Sequence, residues 1–361
     1  ASSPHPAASN TAPPRVAPGP CGYSPPMRIV VTGATGNLGT ALLRRLAGET
    51  DISVHGVSRR PPRDEDAYRG VEWTPLDLSR DGAEEPLTDV LRGADAVVHL
   101  AWRIQPSHDE RTLYKANVAG SDRVFTAAVA AGVPHLVHMS SVGAYSPAAK
   151  DHTVDESWPT DGVSTSYYSR QKAAVEHILD QVERDHPTLT VTRVRPGLVL
   201  QPQAAAEIKR YFLGPLVPHA LFRLKTPVLP LPRSMVLQFA HADDVADAVA
   251  RVVAGRHGGA FNIVSDPVVT PEVLAGVLGA RHVPIPPTAL RTAAKLTWHL
   301  RLQPTSHGWV DLALTAPLLD ATRAREVLGW TPAHDARDAL RQLLTGLAHK
   351  QGLPASPPLH P

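Results

Sequence analysis

The stretch MRIVVTGATGNLGTALLRRL, residues 27–46, decides the fold. Its opening run MRIVVT is continuously apolar and β-branched, as expected for a strand buried on both faces of a parallel sheet. Glycines follow at positions 33, 36 and 39, and apolar residues then recur at helical spacing. The stretch therefore predicts a buried strand, a glycine-rich turn and a helix.

Further runs along the chain repeat this alternation of strand and helix. Strands are predicted at residues 52–58, 96–100, 136–140 and 190–195, and helices at 38–47, 117–131 and 168–184. Short buried strands that alternate with longer helices favour a parallel sheet covered by helices on both faces. Right-handed crossovers would make this an α/β fold with a doubly wound Rossmann sheet.

Changes in composition divide the chain. The ends of the chain are rich in proline and alanine and cannot bury enough apolar surface to offset the entropy of ordering. In the region beyond the last of these strands, the many prolines predict short helical pieces rather than strands. The predicted parts are a disordered leader (1–26), a Rossmann domain (27–200, with 241–264 returning to it), a smaller C-terminal substrate-binding lobe (201–240 and 265–348) and a loose tail (349–361).

Composition excludes several classes of function. The 361 residues carry 36 Lys and Arg against 34 Asp and Glu, so no global field favours nucleic acid or an anionic membrane as partner. Cys21 is the single cysteine, which excludes an internal disulfide and a cysteine-based metal site. The sequence has no uninterrupted apolar run that is long enough to predict a membrane-spanning helix. We expect a cytoplasmic protein that acts on a small molecule without a metal.

The glycine-rich turn predicts a dinucleotide site. Gly33 permits a tight turn, Gly36 lets backbone amides approach a pyrophosphate, and Gly39 allows close packing of helix on strand. An ordinary strand-to-helix turn is the alternative. The predicted pyrophosphate-binding residues are Gly33, Thr35, Gly36, Asn37, Leu38 and Gly39.

The end of the second predicted strand indicates which dinucleotide binds. NAD sites usually carry an acidic residue there for the ribose 2′-hydroxyl, but this chain has Ser58, Arg59 and Arg60. A guanidinium beside a hydroxyl suits a 2′-phosphate, so NADP(H) is the predicted cofactor, with NAD(H) as the alternative. Two solvated arginines are the other interpretation.

More residues are predicted around the cofactor. Asp77 could accept a hydrogen bond from the adenine amino group, with Leu78 beneath the ring, or it could cap the next helix. Leu100, Ala101 and Pro196 stand at or just after the ends of predicted strands, where open parallel sheets place ligands.

A candidate catalytic set follows. Tyr168 and Lys172 stand four residues apart in a predicted helix, so they share one face, and an ammonium there would lower the tyrosine pKa. The fourth neighbour of Tyr167 is an uncharged glutamine. Ser141 ends a predicted strand, where its hydroxyl can polarise a substrate oxygen. Ser140 is the alternative, and strand alternation would send the two hydroxyls to opposite sides.

The order of these motifs resembles the extended short-chain dehydrogenase/reductases, often labelled NAD-dependent epimerase/dehydratase. The resemblance runs from residue 27 to about residue 344 and includes TGATGNLG, LDLS, HLAW, NVAGS, HMSSVGAY, RPGLVL, FAHADDVADAV and REVLGWTP. It implies that Tyr168 is the acid/base, that Lys172 binds the nicotinamide ribose and tunes Tyr168, and that Ser141 holds the substrate oxygen. Asn117 would be the structural asparagine, and a helical pair would form a homodimer.

Departures from the family pattern narrow the chemistry. Dehydratases of nucleotide sugars carry an Asp-Glu pair where this chain has Val142 and Gly143, so the resemblance does not extend to dehydration. The stretch RPGLVLQPQ lacks the asparagine that commonly binds a diphosphate, which weakens the nucleotide-sugar interpretation. Residues 208–240 combine five basic residues, no acidic one, and many apolar ones, so they would suit an anionic or an apolar substrate.

Together these observations predict an NAD(P)-dependent oxidoreductase. It would transfer hydride between NADP(H) and a carbonyl or alcohol carbon, with a tyrosine as acid/base. Epimerisation of a nucleotide sugar is the alternative within enzymes, and a non-catalytic protein that senses the cofactor is the alternative from another class.

Overall fold

A computed structural model describes residues 25–62, 68–209, 228–303, 305–354, 356 and 358–360. Its strands are β1 (Met27–Thr32), β2 (Ile52–Ser58), β3 (Glu72–Pro75), β4 (Ala96–His99), β5 (His135–Met139), β6 (Thr153–Val154), β7 (Thr190–Pro196), β8 (Leu198–Leu200), β9 (Val228–Leu231), β10 (Leu237–His241), β11 (Gly259–Ile263), β12 (Ser265–Val269), β13 (Arg281–Pro284) and β14 (Leu318–Leu319).

The helices alternate with these strands through the first half of the chain. They are α1 (Asn37–Leu46), α2 (Glu84–Leu91), α3 (Glu110–Tyr114), α4 (Gly120–Ala130), α5 (Tyr167–Asp185), α6 (Ala205–Ile208), α7 (Ala242–Gly255), α8 (Pro271–Leu278), α9 (Pro287–His299), α10 (His307–Thr315), α11 (Thr322–Leu328) and α12 (Ala336–His349). The predicted leader lies almost entirely outside the described residues, as do Arg210, Arg223 and Lys225 of the basic set.

A seven-stranded parallel sheet organises the molecule. Its order is β3-β2-β1-β4-β5-β7-β11, and every neighbouring pair runs parallel. The strand order reverses between β1 and β4, and ligands bind outside the carboxyl ends of the strands at such a switch point. The prediction of an α/β doubly wound Rossmann sheet is confirmed.

Helices cover both faces of this sheet and build two apolar cores. On one face α1 and α7 pack together, with Leu42 and Val249 fully buried between them and the strands. On the other face α2, α4 and α5 contribute Leu87, Phe125 and Leu179. The central strands β1, β4 and β5 are largely buried along their length, so their sequences show no regular alternation of apolar and polar residues.

Beyond Pro196 the segment 241–264, which the sequence predicts to return to the Rossmann domain, supplies β11 beside β7 in the main sheet. Elsewhere in this region the structure differs from the expectation of helical pieces without strands. Its strands form three small sheets, ordered β12-β10-β8, β13-β9 and β14-β6, and β6 comes from before Pro196. These strands are only two to five residues long and several contain proline, so no periodicity of two develops along them.

The segment predicted as a loose tail also differs. Ser356 and Leu359 are fully buried, and the Ser356 hydroxyl donates a hydrogen bond to the carbonyl of Thr35 in the glycine-rich turn. A long-range contact of this kind has no local signal in a proline-rich stretch. Within the described ranges, no helix combines the length and the apolar content that crossing a membrane requires.

Candidate active site

A cavity of about 550 Å³ opens at the carboxyl ends of the main parallel strands. All residues predicted to bind cofactor or to catalyse line it, namely Gly33, Thr35, Gly36, Asn37, Leu38, Gly39, Ser58, Arg59, Asp77, Leu78, Leu100, Ala101, Ser141, Tyr168, Lys172 and Pro196. The fold therefore brings together residues that are up to 163 positions apart in the chain, although lining a cavity does not by itself assign their roles.

The glycine-rich turn has no room for side chains at two of its positions. Gly33 has a φ of +73°, and a Cβ there would lie 2.6 Å from the backbone nitrogen of Ala101. A Cβ on Gly39 would lie 2.5 Å from the carbonyl carbon of Ala34. Gly36 directly precedes α1 as its N-cap. The bare backbone thus presents the N-terminus of a ten-residue helix to the cavity, an arrangement that fits a pyrophosphate.

The end of β2 offers donors for an anion. The Ser58 hydroxyl is buried and has no hydrogen-bond partner within the described part of the chain, while Arg59 lines the same cavity. A buried hydroxyl without a partner is costly, and a bound ligand can supply one. Ser58 and Arg59 therefore fit the 2′-phosphate of NADP(H).

Asp77 shapes a local turn and does not cap the next helix, because α2 begins at Glu84 and its N-cap is Ala83. One carboxylate oxygen accepts hydrogen bonds from the backbone nitrogen of Ser79 at 3.0 Å and from its hydroxyl at 2.7 Å. Burial alone would raise the pKa of Asp77, but these bonds together with Arg59 and Arg103 lower it. The carboxylate shapes a turn and also lines the cavity, so contact with adenine stays a prediction.

The two candidate serines point in opposite directions. Ser140 donates its hydroxyl to the buried carboxylate of Glu176 on α5. Ser141 instead accepts a hydrogen bond from the backbone nitrogen of Gly143 at 3.0 Å, and its hydroxyl interacts with Tyr168. Strand alternation separates the two hydroxyls as predicted, and Ser141 is the one beside the tyrosine.

Lys172 is held in place from two sides. Its side chain is almost completely buried, and its Nζ donates to the carbonyl of Met139 at 2.8 Å. The same nitrogen lies 3.5 Å from the centre of the Trp102 ring, a cation–π contact. Burial lowers the pKa of Lys172 to about 7, against the opposing effect of Glu176.

The structure differs from the expectation that Lys172 lowers the tyrosine pKa. Burial raises the pKa of Tyr168 to about 12, and only the bond with Ser141 opposes this shift. Lys172 does not offset this shift, and its ammonium contacts the Met139 carbonyl and the Trp102 ring. Burial thus favours the protonated phenol of Tyr168 over the phenolate.

Two tryptophans that the sequence argument did not single out flank Tyr168. The Trp309 ring lies 5.0 Å from the tyrosine ring at 30°, and the Trp102 ring lies edge-on at 6.1 Å. Trp102 directly follows the predicted cofactor residue Ala101, which was a usable signal. Trp309 reaches the site from α10, and no local pattern connects it with Tyr168.

Asn117 secures the segment that carries Trp102. Its side-chain oxygen accepts from the Arg103 nitrogen at 2.7 Å, and its amide nitrogen donates to the Arg103 carbonyl at 3.0 Å and to Gln171 at 2.8 Å. It lies in a π-helical turn, Lys115–Ala119, of the kind often found at functional sites. These contacts fit the structural role that the family resemblance implies.

Gly143 packs directly against the ring of Tyr168. A Cβ at this position would lie 2.7 Å from Cε1 of the tyrosine, closer than a carbon side chain can approach. A glutamate could enter only if the tyrosine moved. The structure thus supplies a steric reason, in addition to residue identity, against dehydratase chemistry.

Comparison with known proteins agrees with this architecture. Residues 29–264 match the family model described as NAD dependent epimerase/dehydratase family. A dTDP-6-deoxy-L-talose 4-dehydrogenase (NAD(P)(+)) of Kitasatospora kifunensis is 29% identical over 90% of this chain and 96% of its own length. A UDP-glucose 4-epimerase of Mycolicibacterium smegmatis is 27% identical over 85% and 94%.

Solved structures show the same fold. A UDP-glucose 4-epimerase from Thermotoga maritima, crystallised with UDP-glucose, superposes with a TM-score of 0.67 at 19% identity, covering 90% of this chain and 99% of that one. The order of the motifs and the topology of the sheet agree with the family model, which matches well over half of the chain. The chain belongs to the NAD dependent epimerase/dehydratase family and is an NAD(P)-dependent enzyme of the extended short-chain dehydrogenase/reductase type.

Proposed function

We propose that this protein is an NADP(H)-dependent reductase of a carbonyl compound, working reversibly on the corresponding alcohol. The observation that carries the proposal is the meeting of Ser141, Tyr168 and Lys172 in the cavity that the glycine-rich turn borders. When bound, the nicotinamide would donate or accept the hydride. Cofactor-binding roles are proposed for the residues predicted from the sequence, namely Gly33, Thr35, Gly36, Asn37, Leu38, Gly39, Ser58, Arg59, Asp77, Leu78, Leu100, Ala101, Tyr168, Lys172 and Pro196.

The chain's own residues would handle the proton and the substrate oxygen. Tyr168, with its pKa raised to about 12, holds a proton that it can donate to a developing alkoxide. Ser141 offers a second hydroxyl to the same oxygen. Lys172, anchored on Met139, would bind the nicotinamide ribose.

The first test compares two neighbouring tyrosines. Tyr168→Phe should lose at least about 100-fold in kcat for NADPH oxidation with a panel of aldehydes and ketones, while its affinity for NADPH is retained. Tyr167→Phe is the matched control, because its hydroxyl donates to the Gln105 carbonyl at 3.1 Å instead of facing Ser141. Equal turnover of the two variants would refute the catalytic assignment.

The preference for NADP(H) is also a proposal, supported by Ser58 and Arg59. Fluorescence titration of NADPH and NADH should show tighter binding of NADPH by the wild type. Arg59→Ala should remove most of that difference, whereas Arg60→Ala, an exposed neighbour outside the cavity lining, should keep it. Equal affinity of the wild type for both cofactors would contradict the phosphate argument.

Epimerisation of a nucleotide sugar is the second candidate function, favoured by the similarity to the mycobacterial UDP-glucose 4-epimerase. The two candidates differ in cofactor balance. A reductase consumes NADPH in proportion to product, whereas an epimerase converts its substrate without net change in cofactor. Incubation with UDP-glucose and chromatography of the products, alongside NADPH absorbance with carbonyl compounds, separates them.

Two finer expectations complete the proposal, a cytoplasmic location and a homodimer. The helices α4 and α5, which pack beside each other on one face of the sheet, are the proposed dimer surface. Light scattering of the purified protein measures the assembly, and a monomer at micromolar concentration would remove this part of the proposal.

A further inference from the structure

Lys150 lines the same cavity as Tyr168 but has no part in the chemistry proposed above. It lies between β5 and β6, in a loop that meets the C-terminal end of α10, where the backbone nitrogen of Ala148 donates to the Thr315 carbonyl at 3.0 Å. Its side chain is half-buried. The ammonium group thus belongs to the wall of the cavity on its α10 side.

The ammonium of Lys150 has no hydrogen-bond acceptor and no carboxylate partner among the described residues. The adjacent Asp151 is paired with His152 at 2.6 Å. Asp311 of α10 is paired with Arg291 at 2.7 Å, and Glu207, which also lines the cavity, has an interaction of its own. Burial lowers the pKa of Lys150 to about 8, and no opposing carboxylate offsets the shift.

The cavity that Lys150 lines is largely apolar. Its apolar lining residues include Ile104, Val142, Trp309, Leu312, Ala316 and Leu318. Gln238 also lines it, but both ends of its amide are bonded to the backbone of Leu319, at 2.6 and 3.1 Å. Lys150 therefore offers a substrate a positive charge that no described residue pairs with, in a largely apolar cavity where a charge-assisted bond is strong.

We propose that Lys150 is a specificity-determining residue that binds a carboxylate carried by the substrate. The substrate class is then a carbonyl or alcohol compound with a carboxylate in addition to the group that reacts at Tyr168. A carboxylate of this kind can come from an oxo acid with an apolar body or from the uronic acid of a nucleotide sugar. This inference rests on the proposed function for the identity of the reacting group, but not for the carboxylate contact itself.

The test uses two matched pairs of probes that differ only in the charged group. These are 4-carboxybenzaldehyde with 4-methylbenzaldehyde, and UDP-glucuronic acid with UDP-glucose. Binding to the protein with NADP⁺ is followed by intrinsic fluorescence, because Trp102 and Trp309 line the cavity, and turnover is measured separately. In at least one pair, the wild type should bind the carboxylate member more tightly.

Lys150→Met should reduce the affinity for the probe with the carboxylate by about 10- to 100-fold. The affinity for the matched probe without the carboxylate should stay unchanged. Lys150→Arg should restore much of the difference. Lys295→Met, which removes an exposed lysine outside the cavity lining, is the control. Thermal midpoints show whether each variant is folded.

Two results would overturn the inference. The first is that neither pair shows tighter binding of the probe with the carboxylate. The second is that Lys150→Met loses the same factor in affinity for the probe with the carboxylate and for its matched probe without it. A carboxylate preference that depends on Lys150, seen together with no hydride transfer, would instead reject the proposed function and keep the subsite. The pair that shows the preference identifies the source of the carboxylate.

Discussion

At the scale of single residues, the site depends on a tyrosine whose ring is fixed on several sides. Trp309 lies on one side of Tyr168, Trp102 meets it edge-on, and Gly143 packs against its ring. The position of the hydroxyl is therefore set by packing as well as by the helix that carries it. Small changes in the surrounding volume should displace the proton donor.

Gly143→Ala tests this packing. The added Cβ would lie 2.7 Å from Cε1 of Tyr168, so the ring must shift, and a shift of about 1 Å at a reacting group can cost about 100-fold in rate. We expect kcat to fall by about that factor while NADPH affinity is kept. Gly276→Ala is the control, since a Cβ there meets nothing within 4 Å. Unchanged kcat in Gly143→Ala would contradict the packing argument.

Lys172 should make stability depend on pH in a defined direction. Burial lowers its pKa from 10.5 to about 7, so between these pH values the unfolded chain holds one more proton than the folded protein. The free energy of unfolding then rises with pH, by up to about 1.4 kcal/mol per unit, and the contribution is lost as pH falls through 7.

Urea unfolding at pH 7, 8 and 9 measures this effect. Lys172→Met removes the titrating group, so the wild type should gain stability relative to the variant as pH rises. Lys295→Met, at an exposed position, should follow the wild type throughout. Parallel curves for the wild type and Lys172→Met would show that the Lys172 pKa is not lowered.

At the scale of elements, α5 connects the chemistry to the core. Tyr168, Lys172 and Glu176 follow one another at intervals of four along the same face of the helix. Glu176 accepts from Nε of Arg195 at 2.8 Å and from a second guanidinium nitrogen at 2.9 Å, and it accepts from Ser140. This buried ion pair ties α5 to β7 and β5 behind the catalytic residues.

Glu176→Ala should destabilise the protein by about 3–5 kcal/mol, because it leaves Arg195 buried without its counter-ion. Glu183→Ala is the matched control on the same helix. It removes a pair with Arg193 at 2.6 Å in which the carboxylate is 37% exposed, and we expect a loss of about 1 kcal/mol or less. Urea unfolding compares the two, and equal losses would mean that the buried pair does not anchor the helix.

Element boundaries were predictable where the pattern was strong. The predicted strands at 27–32 and 52–58 match β1 and β2, and α5 begins within one residue of its predicted start. The turn between α3 and α4 was not predicted, because a π-helical turn has no separate sequence periodicity. Apart from β11, which lies in the segment predicted to return to the Rossmann domain, the short strands after Pro196 were missed, because pairing with distant partners is what stabilises them.

At the scale of the whole molecule, the end of the chain contacts its beginning. The hydroxyl of Ser356 donates to the carbonyl of Thr35, 321 positions away, and Pro358 lines the cavity. The glycine-rich turn is thus braced before any cofactor arrives. A braced turn loses less conformational freedom on binding, which favours affinity.

Ser356→Ala should lower thermal stability slightly and weaken NADPH binding by roughly 5-fold, the equivalent of about 1 kcal/mol for one hydrogen bond. Isothermal titration calorimetry measures the affinity. Ser306→Ala is the control, because that serine caps α10 without a side-chain hydrogen bond. An NADPH affinity in Ser356→Ala equal to that of the wild type would show that the tail does not brace the turn.

The sequence by itself determined the α/β class, the glycine-rich turn and the pairing of Tyr168 with Lys172, because these depend on local periodicity and on spacing within single elements. Tertiary structure decided what those residues experience. It placed Trp309 against Tyr168, engaged Lys172 with Met139, and left Lys150 in the cavity wall without a partner among the described residues. Burial and long-range contacts determine the pKa values of these groups and which hydrogen-bond donors have a partner. Neither burial nor long-range contact can be inferred from the order of neighbouring residues.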